Sequence, residues 1–209
     1  MAIICPSITA ENNHQYREQM ERIAPFVTNV HIDFMDGKLA PTKSPDIKHA
    51  WWPHTMQADL HIMYQEPIKY IDKIVELSPR LVVVHAEAKG GFVRFADKLH
   101  EAGIQAGVAL LPGTSTKIIA PAKDHIDHVL IFSGELGKFG GKVDMSLLKK
   151  IKEVNDIDDR ISIGWDGGIN EKNTKLLVDA GVDVLNVGGY IHRAQDPKAN
   201  FMCLKSLVQ

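Results

Sequence analysis

Leu81-Val82-Val83-Val84 and, further along, Val129-Leu130-Ile131-Phe132 are runs without a single polar side chain. Such short, β-branched, continuously apolar runs read as strands buried on both faces, the position of a parallel strand covered by helices. Segments of this kind recur outward in both directions: Ala2–Ile8, Asn29–Phe34, Gln57–Met63, Arg80–Glu87, Gln105–Leu111, His128–Ser133, Ser162–Asp166 and Val182–Val187. Their spacing of about 25 residues leaves room for the dozen or more residues that a parallel crossover needs. Amphipathic helices are predicted over Asn12–Ile23, Pro67–Leu77, Phe92–Ala102, Met145–Val154 and Asn173–Ala180. Gly103 and Gly181 sit just before strands, where a glycine ends a helix in the left-handed conformation. Eight such units in 209 residues predict one (β/α)8 TIM barrel domain over 1–209. An open doubly wound sheet would need a glycine-rich turn after the first strand, and that turn reads Ser7-Ile8-Thr9-Ala10-Glu11.

Bulk properties exclude several classes of function. The net charge of −2 and the absence of a Lys/Arg block give no field for nucleic acid. No apolar run approaches the roughly 18–20 residues that span a bilayer. Met1-Ala2-Ile3-Ile4-Cys5-Pro6-Ser7 lacks the basic start of a signal peptide and reads as a strand. Cys5 and Cys203 form no CxxC pair and no disulfide framework, so a reducing cytoplasm is the expected setting.

The stretch richest in chemistry is His31-Ile32-Asp33-Phe34-Met35-Asp36-Gly37. Alternate residues of a strand share a face, so His31 and Asp33 point the same way. A buried carboxylate beside an imidazole requires a partner, and a bound cation serves. His61 in Asp59-Leu60-His61-Ile62-Met63 and Asp166 in Gly164-Trp165-Asp166-Gly167-Gly168 stand at two more strand ends. Functional groups of such barrels lie at the C-terminal strand ends. Convergence of the four would make a two-His, two-Asp site suited to Zn²⁺, Fe²⁺, Mn²⁺ or Co²⁺. The plainer alternative is a hydrogen-bonded polar cluster, and the isolated His85 and His128 read as structural. Gly140-Gly141, Gly167-Gly168 and Gly188-Gly189 follow the last three strands. Glycines let backbone N–H groups approach an anion, and the loops after strands seven and eight of such barrels often bind phosphate.

Taken together, these segments resemble the ribulose-phosphate 3-epimerase family over essentially the whole chain. The matching pieces are Cys5-Pro6-Ser7-Ile8, His31 to Gly37, Asp59 to Met63, Val84-His85-Ala86-Glu87-Ala88 and Asp166-Gly167-Gly168-Ile169-Asn170. The resemblance implies a barrel of the ribulose-phosphate-binding type, one divalent metal ion (Zn, Fe, Mn or Co), and inversion of C3 of a ketose phosphate. By resemblance His31, Asp33, His61 and Asp166 are the metal ligands, Ser7, Met35 and Met63 line the sugar site, and Gly188 and Gly189 belong to the phosphate loop. Inverting a carbon beside a ketone means removing its proton and returning one from the opposite face, and Asp33 and Asp166 are the natural acid/base pair. The metal would stabilise the enediolate between the two steps. Met35 and Met63 fit equally well as filling of the barrel interior. Self-association is also expected from the family.

Departures from the family pattern fall on loops. Where members typically read Asn-Pro-Gly-Phe-Gly-Gly-Gln, this chain reads Gly134-Glu135-Leu136-Gly137-Lys138-Phe139-Gly140-Gly141-Lys142. Lys138 and Lys142 are added charges near the phosphate site whose default is solvent. Leu39-Ala40-Pro41-Thr42, Leu111 and Gly188-Gly189-Tyr190 differ as well. The expected substrate is ribulose 5-phosphate/xylulose 5-phosphate, with a hexulose 6-phosphate such as allulose 6-phosphate as the alternative. A non-catalytic sugar-phosphate-binding barrel is the second alternative. Decarboxylases of the same superfamily use an Asp-x-Lys-x-x-Asp pattern, whereas Asp33-Phe34-Met35-Asp36-Gly37-Lys38 misplaces the lysine and leaves His31 unexplained.

Overall fold

A computed structural model describes residues 2–138 and 140–208. Met1 at the head of the first predicted strand, and Phe139 in the altered loop, lie outside the described residues. Eight strands close into a parallel barrel in chain order. They are β1 (Ile3–Ile8), β2 (Asn29–Met35), β3 (Gln57–Met63), β4 (Leu81–His85), β5 (Gln105–Leu110), β6 (His128–Phe132), β7 (Ser162–Asp166) and β8 (Val184–Val187). The helices are α1 (Asn13–Ile23), α2 (Ile71–Leu77), α3 (Phe92–Glu101), α4 (Lys149–Ile157), α5 (Thr174–Asp179), α6 (Gly189–His192) and α7 (Pro197–Leu207).

Each strand keeps one apolar face toward the helices. Ile32 and Phe34 on β2, Leu60 and Ile62 on β3, and Val82 and Val84 on β4 are buried in the continuous outer core. Burying one such side chain is worth about 1.5–3 kcal/mol, so a register slip of one residue would forfeit most of this face. The opposite alternation aims His31, Asp33, His61 and His85 into the barrel. At the mouth, Met35, Ala40 and Met63 form a separate apolar cluster with Leu39 and Leu136.

Two crossovers depart from simple β–α alternation. Between β2 and β3 the described helical structure is a 3-10 turn at Ile47–His49. Between β5 and β6 a 3-10 stretch, Thr116–His125, contains Pro121, which has no N–H to donate and disfavours a regular α-helix. The helix expected from Pro67 begins as a 3-10 turn, Pro67–Tyr70, and that expected from Met145 as Met145–Leu148.

His128 lies inside the barrel with Nδ1 3.3 Å from Ser162 Oγ. Burial, helped by the positive Arg80 and His31, pushes its imidazole down to about 3 from the ordinary 6.5. Between those values the unfolded chain binds the proton and the folded one does not, so stability rises with pH and falls on acidification. Going from pH 7 to pH 5 is expected to remove about 2 kcal/mol through this group. His128→Gln should lose correspondingly less between the same two pH values, measured by urea unfolding. An unaltered pH difference would contradict this assignment.

Candidate metal centre and phosphate cup

Strand register builds the centre. On the β2–β3 ladder Asp33 pairs with His61 and Met35 with Met63, while Ser7 on β1 pairs with His31. Asp166 ends β7, opposite Phe132 on β6 and Asn186 on β8. His61 Nδ1 lies 3.0 Å from Asp33 Oδ1 and 4.0 Å from Asp166 Oδ2. His31 Nε2 is 3.3 Å from Asp33 Oδ1 and 3.6 Å from Asp166 Oδ2. One donor atom from each of the four residues lies within 4.8 Å of all the others. His31, Asp33 and His61 are buried, and His31 Nε2, though close to both carboxylates, makes no well-aligned hydrogen bond among the described residues. A cluster held only by its own hydrogen bonds would align that nitrogen on one carboxylate rather than leave it facing two. Two imidazoles and two carboxylates aimed at one point fit a divalent transition-metal ion.

Burial and the Asp33 charge push the Asp166 carboxyl above the usual range. Asp33 is buried too, but His31 and His61 more than offset that and hold its carboxyl low. Burial brings His61 down to about 4, with His85 adding to the effect and Asp33 opposing it. A cation bound among these groups adds its own field to all of them.

Several neighbours of the centre carry no site role in the sequence reading. Thr9 Oγ1 donates to Asp33 Oδ2 at 2.5 Å, fixing the carboxylate. His85, read as structural, stacks on His61 with its Nε2 2.9 Å from His61 Nε2, leaving His61 Nδ1 to face the centre. Behind it, His85 Nδ1 is 3.6 Å from Glu87 Oε2, and Glu87 accepts from Thr114. An outer partner of this kind sets a ligand imidazole's tautomer and orientation. The two-residue spacing of His85 and Glu87, the same as that of His31 and Asp33, was the available signal.

A cavity of about 290 Å³ opens above the centre. Ser7, Asp33, Met63 and Asp166 line it, together with Gly140, Gly141, Gly167, Gly168, Gly188 and Gly189. The three glycine pairs therefore share one rim. Met35 does not reach this wall; it is buried beside Met63, with Thr42 Oγ1 3.1 Å from its sulfur. Thr42 Oγ1 also donates to Gly137 O at 2.9 Å, tying the loop after β2 to the altered loop after β6. Of the added lysines, Lys138 borders the cavity but is paired with Glu135, and Lys142 is exposed. Arg193, just past α6, also lines the cup. A Cβ on Gly140 would stand 3.1 Å from its guanidinium.

Gly167 and Gly168 are held at φ +114° and +73°. A Cβ on Gly167 would stand 2.5 Å from Gly134 N, and one on Gly168 2.3 Å from Val143 N. The β7 loop thus rests backbone to backbone on the β6 loop, which only glycine permits.

Fold and site define a (β/α)8 barrel enzyme class in which a two-His, two-Asp candidate metal centre lies beneath a glycine-rimmed cavity. Residues 3–192 match the model of the "Ribulose-phosphate 3 epimerase family", and the chain belongs to that family. Relatives are named ribulose-phosphate 3-epimerase, an isomerase activity. The ribulose-phosphate 3-epimerase of Aquifex aeolicus is 33% identical over 216 residues, covering 100% of this chain and 97% of the relative. That of Bacillus subtilis is 35% identical over 177 residues, covering 81% and 82%. Among solved structures, 3-hexulose-6-phosphate synthase from Salmonella typhimurium superposes with TM-score 0.70 at 16% identity, over 98% of this chain and 97% of that one. KGPDC from Streptococcus mutans superposes with TM-score 0.75 at 11% identity, over 100% and 97%. These two share the fold.

Proposed function

We propose that the chain, as one barrel domain over 1–209, is a metal-dependent ketose-phosphate 3-epimerase acting on ribulose 5-phosphate/xylulose 5-phosphate. The observation that carries this is the gathering of His31, Asp33, His61 and Asp166 within 4.8 Å at the floor of a cavity rimmed by glycines. Those four side chains would hold one divalent ion, Zn²⁺, Fe²⁺, Mn²⁺ or Co²⁺ being suited to the donor set. Such an ion supplies Lewis-acid stabilisation of the charge that develops on the substrate oxygens, worth several kcal/mol.

The protein's own residues do the rest. Asp33 and Asp166 exchange the C3 proton from opposite faces, each alternating between base and acid. Thr9 and His85 hold Asp33 and His61 in place. Met63 supplies a soft apolar wall, Met35 supports it from behind, and Ser7 offers a hydroxyl to the sugar. The backbone of Gly140-Gly141, Gly167-Gly168 and Gly188-Gly189 receives the phosphate, with Arg193 beside it.

Two of the departures from the family, after β2 and after β6, sit on loops joined by Thr42 and Gly137. They favour a hexulose 6-phosphate as the second reading, because one more carbon is accommodated there. Self-association into a homo-oligomer and a cytoplasmic setting belong to the same proposal. Two unpaired cysteines agree with that setting. No described helix is long and apolar enough to cross a membrane.

The test is kcat/KM for ribulose 5-phosphate and allulose 6-phosphate, before and after chelation and after adding back each metal. Activity on the pentulose that disappears with chelator is expected. A preference for the hexulose of tenfold or more would replace the substrate, and no turnover of either by metal-loaded protein would leave a binding-only barrel.

A further inference from the structure

Asn186 interrupts the apolar run of β8. Its neighbours Leu185 and Val187 face the outer core, so the strand's alternation turns Asn186 inward. It is only 3% exposed, yet its Oδ1 has no hydrogen-bond partner, and the side chain lines the cavity above the metal centre. Ser7 Oγ, on the adjoining β1, is likewise buried, without a partner and on the same wall. A buried amide oxygen without a partner costs stability that an apolar residue of the same shape would not. Two such atoms facing one cavity mark a surface built for polar groups that arrive with a ligand.

The position along the wall identifies the polar group. Asn186 pairs with Asp166 across β7–β8, and two residues further along its own chain stands Gly188 of the cup. It therefore lies between the carboxylate that handles C3 and the backbone that takes the phosphate. We infer that Asn186 is a specificity-determining residue that hydrogen-bonds the hydroxyl on the substrate carbon between C3 and the phosphorylated carbon, C4 of a pentulose 5-phosphate. The amide suits a hydroxyl in either orientation, since its carbonyl accepts and its NH₂ donates. This inference rests on the epimerase reading above, and on C3 and phosphate occupying the two ends of the cavity.

The test uses metal-loaded protein, the shape-matched variant Asn186→Leu, and Asn186→Ala as a smaller replacement. The substrates are ribulose 5-phosphate and its 4-deoxy analogue. Asn186→Leu is expected to melt about 1–4 °C higher, because an unpartnered buried amide oxygen has been removed. Its kcat/KM for ribulose 5-phosphate should nevertheless fall about 10- to 100-fold, with the larger share in KM, as for a lost hydrogen bond in a closed site. On the 4-deoxy analogue wild type and variant should agree within about threefold, since no hydroxyl is there to lose. Asn186→Ala should show the same selectivity between the two substrates. Equal losses on both substrates would make Asn186 a packing residue, and no loss on either would remove it from recognition; each result overturns the inference. If wild-type protein turned over neither compound, the epimerase reading itself would fail and this one with it.

Discussion

Asp166→Asn should lower epimerisation of ribulose 5-phosphate by at least about 10⁴-fold while the barrel still folds. Two losses combine. An amide neither takes nor returns the C3 proton, which alone is worth about 10²–10⁴. It is also a poorer metal ligand, in a site where His31 Nε2 and His61 Nδ1 stand 3.6 and 4.0 Å from the Asp166 oxygen. Asp33→Asn should be at least as damaging, since Asp33 Oδ1 faces both histidines. Neither substitution changes side-chain volume appreciably, so the circular dichroism spectrum should match wild type. Turnover within tenfold of wild type in either variant would remove that carboxylate from proton transfer.

The second large effect is expected at a residue without a side chain, Gly167, directly after Asp166. Gly167→Ala places a methyl group 2.5 Å from Gly134 N and 2.8 Å from Ser133 C, on a residue held at φ +114°. The contact is with backbone, so no side chain can swing aside. Strain of about 1–3 kcal/mol follows from the dihedral alone, and relief of the clash parts the β6 and β7 loops. Those loops carry two of the three glycine pairs. Misplacing them should cut kcat/KM about 10²-fold, consistent with a shift of about 1 Å at a positioning element, and lower Tm by about 5 °C. Gly113→Ala is the control. No atom lies within 4 Å of its Cβ position and its φ is not positive, so neither quantity should move. Equal behaviour of the two variants would show that the β6–β7 contact does not shape the cup.

How far the sequence revealed these features depends on their range. The strands around Leu81-Val82-Val83-Val84 and Val129-Leu130-Ile131-Phe132 were readable because four apolar residues in a row fit a strand buried on both faces. The centre was readable for a related reason: the two-residue spacing of His31 and Asp33 fixes their common face, and the ends of parallel strands in a barrel must converge. The crossovers were less so. Pro121 disrupts a stretch that otherwise looks helical, and the described structure between β2 and β3 is chiefly irregular. Features set by long-range contact were the least visible. His85 looks like an isolated histidine until β3–β4 pairing brings it against His61, 24 residues earlier. Thr9 acquires its role only when β1 lies beside β2. Arg193 returns to the cup because α6 is a single turn, and its distance from the glycine pairs in three dimensions has no local signature. Asn186 does carry a local signal, a polar residue at an inward position of an apolar strand.

The most direct measurement is deuterium incorporation at C3, followed by NMR, when metal-loaded protein acts on ribulose 5-phosphate in D₂O. Proton exchange between two carboxylates requires deuterium at C3 of the epimer formed. Incorporation should stop with a chelator, return when a divalent ion is restored, and be absent in Asp33→Asn and Asp166→Asn. Epimer that forms without C3 deuterium, or incorporation that chelation leaves untouched, would contradict the account.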